Sequence, residues 1–250
     1  MEQITARVDP EAGGVAWHAL NAQEAVTLCS VHKALGLSSM QAESRLVHGH
    51  ENRIAISLPT WWRTVRRARV LILLILVAIG FGLAVRGLWL DVSIVLGLAA
   101  VNLGTFLRNE RRCRRLLPAL TRLAGTQAHV LRDGSLADIP PTKLVPGDVL
   151  FLESGDVVPA DARLIDALRL QCDEAALTGS HAVVEKEIEP VSANTRLRRR
   201  KDMVFLGAVV LSGTGKAVVV RTGTETEAGR TLVAGGYATP PLDGSAFPAG

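Results

Sequence analysis

The chain has 250 residues, 48% of them hydrophobic and 21% charged, with a formal net charge of +4 and a mean hydropathy of +0.25. That length holds one or two domains, and the ordinary charge content excludes wholesale disorder. Cys29, Cys113 and Cys172 are scattered without a CxxC pair. This argues against a disulfide framework or a zinc site and leaves buried or idle thiols in a reducing compartment.

The opening stretch, MEQITARVDPEAGG, lacks the basic-then-apolar pattern of a signal peptide. Residues 17 to 60 read as short helices. Asn21 and Glu24 have the spacing of an N-cap with a reciprocal partner, which predicts a helix through about Leu35, ended by Gly36. Ser38 with Gln41 repeats the signal and predicts a second helix, Met40 to Val47. The stripe Ala25, Leu28, Cys29 is only moderately apolar, so this piece is expected to pack on something else. His32, His48 and His50 have no metal-ligand spacing and read as solvated.

The apolar excess lies between Val70 and Leu107, in two runs at about 70–86 and 88–107. A bilayer span takes about 20 residues, and Arg69 and Arg86 can snorkel to extend the shorter first run. Arg63, Arg66, Arg67 and Arg69 precede the pair, and Arg108, Arg111, Arg112, Arg114 and Arg115 follow it. The positive-inside rule then puts both termini in the cytoplasm, with Trp61, Trp62 and Trp89 at the interfaces. Membrane topology explains most of the basic charge, and a nucleic-acid partner is set aside. Asn102, deep in the second run, is expected to bond a neighbouring helix rather than an ion.

After a helical stalk, Arg111 to Ala124, the period becomes extended. QAHVLRDGSLADI predicts a hairpin turning at Asp133-Gly134, and DMVFLGAVVLSGTGKAVVVRTG predicts a second around Ser212 to Gly215. Many short strands over about 125–223 suggest a compact barrel or jelly roll. Gly147, Gly155, Pro159 and Gly207 are expected to set turns. Asp148, Asp156 and Asp161 are expected to bond nearby backbone amides rather than a metal. The Pro- and Gly-rich tail, 236–250, is expected to be disordered.

LVPGDVLFLESGDVVPADARL, DEAALTG and DMVFLGAVVLSGTGKAVVVRTGTETEAGR together resemble the actuator domain of P-type cation-transporting ATPases. WHAL to GLSSMQAESRLVHG resembles the N-terminal region of the calcium, sodium and proton pump branch, and the two apolar runs resemble its first two membrane helices. The resemblance implies a membrane protein of α+β class: an N-terminal helical region (1–60), a transmembrane hairpin (61–107), an all-β actuator domain, a distorted jelly roll, with its stalk (108–235), and a tail. It also implies an inner-membrane location with the lipid bilayer as partner.

In that family the glutamate of a TGES loop orients the water that hydrolyses an aspartyl phosphate, a role that needs a carboxylate. Here Thr178 and Gly179 match, but Ser180 stands at the glutamate and His181 at the following serine. Val184 and Lys186 match again, so the register is held. The resemblance therefore implies a degenerate, inactive catalytic loop at Thr178, Gly179, Ser180 and His181; the alternatives are that His181, or else Glu185, replaces the missing base. The family uses ATP and magnesium, yet the 250 residues contain neither DKTGT nor a GxxxxGK[ST] loop. They are expected to be a truncated homologue, with no cofactor or metal of their own, that hydrolyses no ATP and moves no ion alone. The alternatives are a regulatory or docking module for an intact pump and the N-terminal half of a split ATPase.

Overall fold

The computed structural model describes residues 14–47, 52–54, 125–239 and, within 71–123, all but 73, 80, 82–84, 87 and 88. His48, His50, Trp61, Trp62, the arginines from 63 to 69 and residues 240–250 of the predicted tail lie outside the described residues. The chain forms two compact units. The first joins the described residues up to Ile54 with Arg115–Thr231, and the second joins Ala55–Arg114 with the segment from Leu232.

In the first unit, α1 (Ala22–Leu28) opens on the predicted capping box: Asn21 accepts from Glu24 N at 2.8 Å, and Glu24 accepts from Asn21 N at 2.8 Å. The helix ends at Cys29, earlier than the expected Leu35. Ser30 adopts a left-handed φ of 53°, Ser30 N bonds Thr27 O, and Val31 N bonds Val26 O, which closes a Schellman cap. Ser38 and Gln41 exchange the predicted reciprocal bonds at the start of α2 (Ser39–Val47).

The strands β1 (Ala128–Arg132), β2 (Ser135–Ile139), β3 (Val149–Leu152), β4 (Asp161–Asp173), β5 (Val183–Glu185), β6 (Met203–Val204) and β7 (Val209–Arg221) form one seven-stranded sheet. Its order is β2-β1-β3-β7-β4-β5, with β6 also on β4, and these strands pair antiparallel. The first hairpin turns where predicted, with Asp133 at φ 49° and Gly134 at φ 77°, the two left-handed residues a tight hairpin requires. The second predicted hairpin does not exist. Ser212 to Gly215 lie inside the single long strand β7, paired with β4 across several register shifts. Gly213 marks a bulge rather than a turn: at φ 78°, a Cβ there would sit 2.2 Å from Arg169 O.

One sheet face buries Val130, Leu150, Leu152, Leu164, Leu170, Ala217 and Val219 as the main core. The N-terminal segment packs on this domain, as its weak stripe predicts. Arg45 donates to Pro146 O and to Cys29 O, and Asn52 donates to Pro141 O and Pro159 O while accepting from Gly223 N. Fully buried Arg163 donates to the carbonyls of Leu20, Leu164, Ile188 and Asp202. The Asp202 carboxylate lies 3.1 Å from Arg163 Nε but accepts no aligned hydrogen bond, and burial pushes its pKa up to about 6.

The turn aspartates are partly as expected. Asp148 accepts from Val145 N and pairs with Arg132, and Asp156 accepts from Glu153 N. Asp161 instead acts over long range: it accepts from Leu206 N at 2.9 Å and from Glu227 N at 2.7 Å, at the start of α5 (Glu227–Ala234). Burial pushes its pKa up to about 7. A carboxyl whose native pKa is raised stabilises the fold below its unfolded value, about 4, and that contribution is lost as pH rises through 7. Urea midpoints read by pulse proteolysis are therefore expected to fall between pH 4 and 7, and Asp161→Asn is expected to flatten that slope. An unchanged slope would show that Asp161 does not titrate with folding.

In the second unit, α3 (Trp89–Leu123) carries the second apolar run, and its C-terminal end continues as the stalk of the first unit. The run and the stalk are one 35-residue helix, not separate elements. Among the described residues, one helix, Asp91–Leu123, is long and apolar enough to cross a membrane. The described residues of the first run include helical 71, 72 and 74–79, and the rest of that span lies partly outside them. Asn102 is exposed, and its carbonyl accepts from Thr105 Oγ1. Gly236 (φ 73°) and Tyr237 close α5 through bonds to Val233 O and Leu232 O.

Candidate functional site: a loop at a hairpin tip

Thr178 to His181 lie at the tip between β4 and β5, which pair through Gln171–Glu185, Cys172–Val184 and Asp173–Val183. A single helical turn, α4 (Ala175–Thr178), starts the loop. Asp173 Oδ1 accepts from Ala175 N at 2.8 Å, which caps that turn, and Leu177 is 3% exposed and anchors it inward. Gly179 ends the turn at φ 75°, ψ 12°, with its N–H bonded to Ala175 O.

The side chains of the tip are held mainly by local bonds. Thr178 Oγ1 donates to Glu174 O at 3.0 Å and accepts from Ser180 N at 3.3 Å. Ser180 Oγ accepts from Ala182 N at 3.4 Å. His181 Nδ1 stands 3.5 Å from Asp173 Oδ2, with its ring 87% exposed. Glu185 is exposed on β5, in register with Gln171, away from the turn at 178–180. The structure thus brings Thr178, Gly179, Ser180 and His181 together on one exposed tip.

The base of the loop is rigid. Glu174 is 1% exposed and pairs with Lys186, whose ammonium also donates to Met203 O at 2.7 Å and lies 5.6 Å from the centre of the Phe205 ring. Burial raises the Glu174 pKa, and Lys186 opposes that shift. Cys172 is buried beside this pair, with its thiol pushed up to about 11, so it is inert. Sequence reasoning named Lys186 only as a register marker. It missed the ion pair, and it missed Arg115, whose guanidinium rests on Gly179.

Asp173 is committed to Ala175 and Glu174 to Lys186, so the loop offers no carboxylate pair for magnesium. No step through a metal or nucleotide is assigned to these residues. A separate cavity, lined by Leu131, Leu136, Val149, Leu150, Phe151 and Lys216, includes none of the loop residues.

Residues 122–234 match the family model of the P-type ATPase actuator domain. The chain is 35% identical over 198 residues to cation-transporting ATPase pma1 of Synechocystis sp., a match covering 78% of this chain and 22% of the relative. It is 34% identical over 208 residues to calcium-transporting ATPase 1 of Schizosaccharomyces pombe, covering 79% of this chain and 22% of the relative. A calcium-transporting ATPase of Listeria monocytogenes is 43% identical over 120 residues, 48% of this chain and 14% of the relative. The chain belongs to the P-type cation-transporting ATPases, as a region bearing their actuator domain. It spans less than a quarter of the length of these relatives.

Proposed function

We propose that these 250 residues act as the membrane-anchored actuator region of a P-type cation pump whose dephosphorylation loop has lost its hydrolytic group. One observation carries the reading: Ser180 occupies the glutamate position on a loop whose flanks keep their register, with Lys186 locked to Glu174. A serine hydroxyl can hold a water but is a poor base near neutral pH. His181 faces Asp173, and the Ser180 hydroxyl is bonded to Ala182 N, which favours a degenerate loop over a replaced base.

In this reading the bilayer is the first partner. The exposed Ile94, Leu96, Leu98 and Val101 of α3, and Leu71, Ile72, Leu74 and Ile75 of the preceding run, would face lipid as a two-helix hairpin. The arginine flanks support cytoplasmic termini in the inner membrane. ATP and magnesium would act on other parts of a pump, and the domain would work with a catalytic partner bearing the phosphorylated aspartate.

The 250-residue chain, purified and incubated with γ-labelled ATP and magnesium, is expected to acquire no hydroxylamine-sensitive label and to release no phosphate. A labelled band on this chain would overturn the reading.

A further inference from the structure

The cavity apart from the loop lies on the sheet face that turns away from the core. Side chains alternate between faces along a strand. Val130, Leu150 and Ala217 belong to the main core, and Ala137 packs against it. Their neighbours Leu131, Val149, Phe151, Lys216 and Leu136 therefore point the other way and line a cavity of about 240 Å³, which Leu150 also borders. The lining crosses the sheet from the edge strand β2 through β1 and β3 to β7. Leu131 stands opposite Leu136 and Val149, and Phe151 stands opposite Lys216. Leu136 is 63% exposed, so the β2 end is open to solvent. Half-buried Lys216 supplies the one charge in the lining, and among the described residues its ammonium has no ion pair or hydrogen bond. Asp166 is in register with it on β4 and exposed, but the two form no ion pair.

We propose that this groove binds a medium-chain fatty acid, with the carboxylate on Lys216 and the chain laid over Phe151 and Leu131 to Leu136. Strands β2 and β7 stand three strand spacings apart, about 14 Å at roughly 4.8 Å each. With carbon–carbon bonds of about 1.5 Å, an extended chain of roughly ten to twelve carbons covers that distance. The volume is below the roughly 300–1,000 Å³ of larger ligand sites and suits one unbranched chain. The floor strands β1, β3 and β7 are each paired on both sides, so their amides and carbonyls are spent in the ladder. A peptide laid there would bury its own amides without partners, whereas an acyl chain has none to satisfy. One unpaired cation at the end of an apolar run selects an amphiphile of the opposite sign. The site shares no residue with the tip at 178–181, so it stands whether or not that loop hydrolyses.

The test uses the full 250-residue chain in phosphatidylcholine nanodiscs and a dodecanoic acid with a photoactivatable diazirine at its methyl end. Irradiation is expected to label the peptide that carries Leu131 and Leu136, read by mass spectrometry. The matching diazirine alcohol enters the bilayer at least as well but lacks the charge, and it is expected to label that peptide about fivefold less. Lys216→Gln is expected to reduce labelling by the acid about as much, and Lys216→Arg to keep it. Asp166→Asn is expected to raise it about twofold, a gain that misfolding does not produce. Unlabelled decanoate should compete and hexanoate at equal concentration should not, since each methylene lost weakens binding about fourfold. Equal labelling by acid and alcohol, labelling confined to 71–123, or unchanged labelling in Lys216→Gln overturns the proposal. Absence of label together with a dimer that Leu136→Asp disperses would give this face to a second copy of the chain and overturn it as well.

Discussion

An intact P-type pump whose loop is changed to the Thr-Gly-Ser-His of this chain is expected to phosphorylate from ATP and then stall as the phosphoenzyme. The hydrolytic water must lose a proton as it attacks phosphorus, and a positioned base supplies about 10²–10⁴-fold. Ser180 cannot accept that proton at neutral pH. His181 could, but its ring is turned to Asp173 at 3.5 Å and is 87% exposed, so it starts outside the position that Ser180 defines. Phosphoenzyme decay, chased with unlabelled ATP, should slow by roughly that 10²–10⁴-fold. Restoring glutamate at the serine should return normal decay, and replacing the histidine with asparagine should change nothing further. Normal decay in the grafted pump would show that the loop still hydrolyses, and its loss on removing the histidine would make that histidine the base.

The loop's identity was legible in the sequence because it is a local pattern: Thr178-Gly179 followed at fixed spacing by Val184 and Lys186. The capping boxes at Asn21–Glu24 and Ser38–Gln41 were legible for the same reason, since three-residue spacing is all they need. The end of α1 was not, because it depends on Ser30 taking a left-handed conformation that serine composition does not announce. Gly213 was misread because a glycine between two apolar runs signals a turn and a bulge alike. Only the approach of the Arg169 carbonyl decides between them. The contacts that tie the first unit together, Arg115 on Gly179, Arg163 on the Leu20 carbonyl and Asn52 across Pro141, Pro159 and Gly223, join segments far apart in the chain. No periodicity records such contacts.

Lys186→Met is expected to destabilise the first unit by about 3–5 kcal/mol, because it leaves the Glu174 carboxylate buried without its counter-charge. Burial already raises the Glu174 pKa against the pull of Lys186, and removing the lysine raises it further. The sign of the pH dependence follows. A carboxyl with a raised native pKa stabilises the fold below its unfolded value and loses that contribution as pH climbs through the native one. The deficit of Lys186→Met should therefore be largest at pH 7 and shrink toward about pH 4, where Glu174 is protonated in both states. Adding Glu174→Gln should recover much of the loss at pH 7, since a neutral amide replaces the stranded charge. Urea midpoints by pulse proteolysis read all three effects, and a Lys186→Met deficit independent of pH would mean that lost packing on Phe205, rather than the stranded carboxylate, is responsible. Because the Glu174–Lys186 pair ties together the two ends of the loop between β4 and β5, amides of residues 174–182 should also exchange faster in Lys186→Met than in the double variant. The loop would then lose its fixed presentation before the sheet itself opens, which separates its positioning from the stability of the domain that carries it.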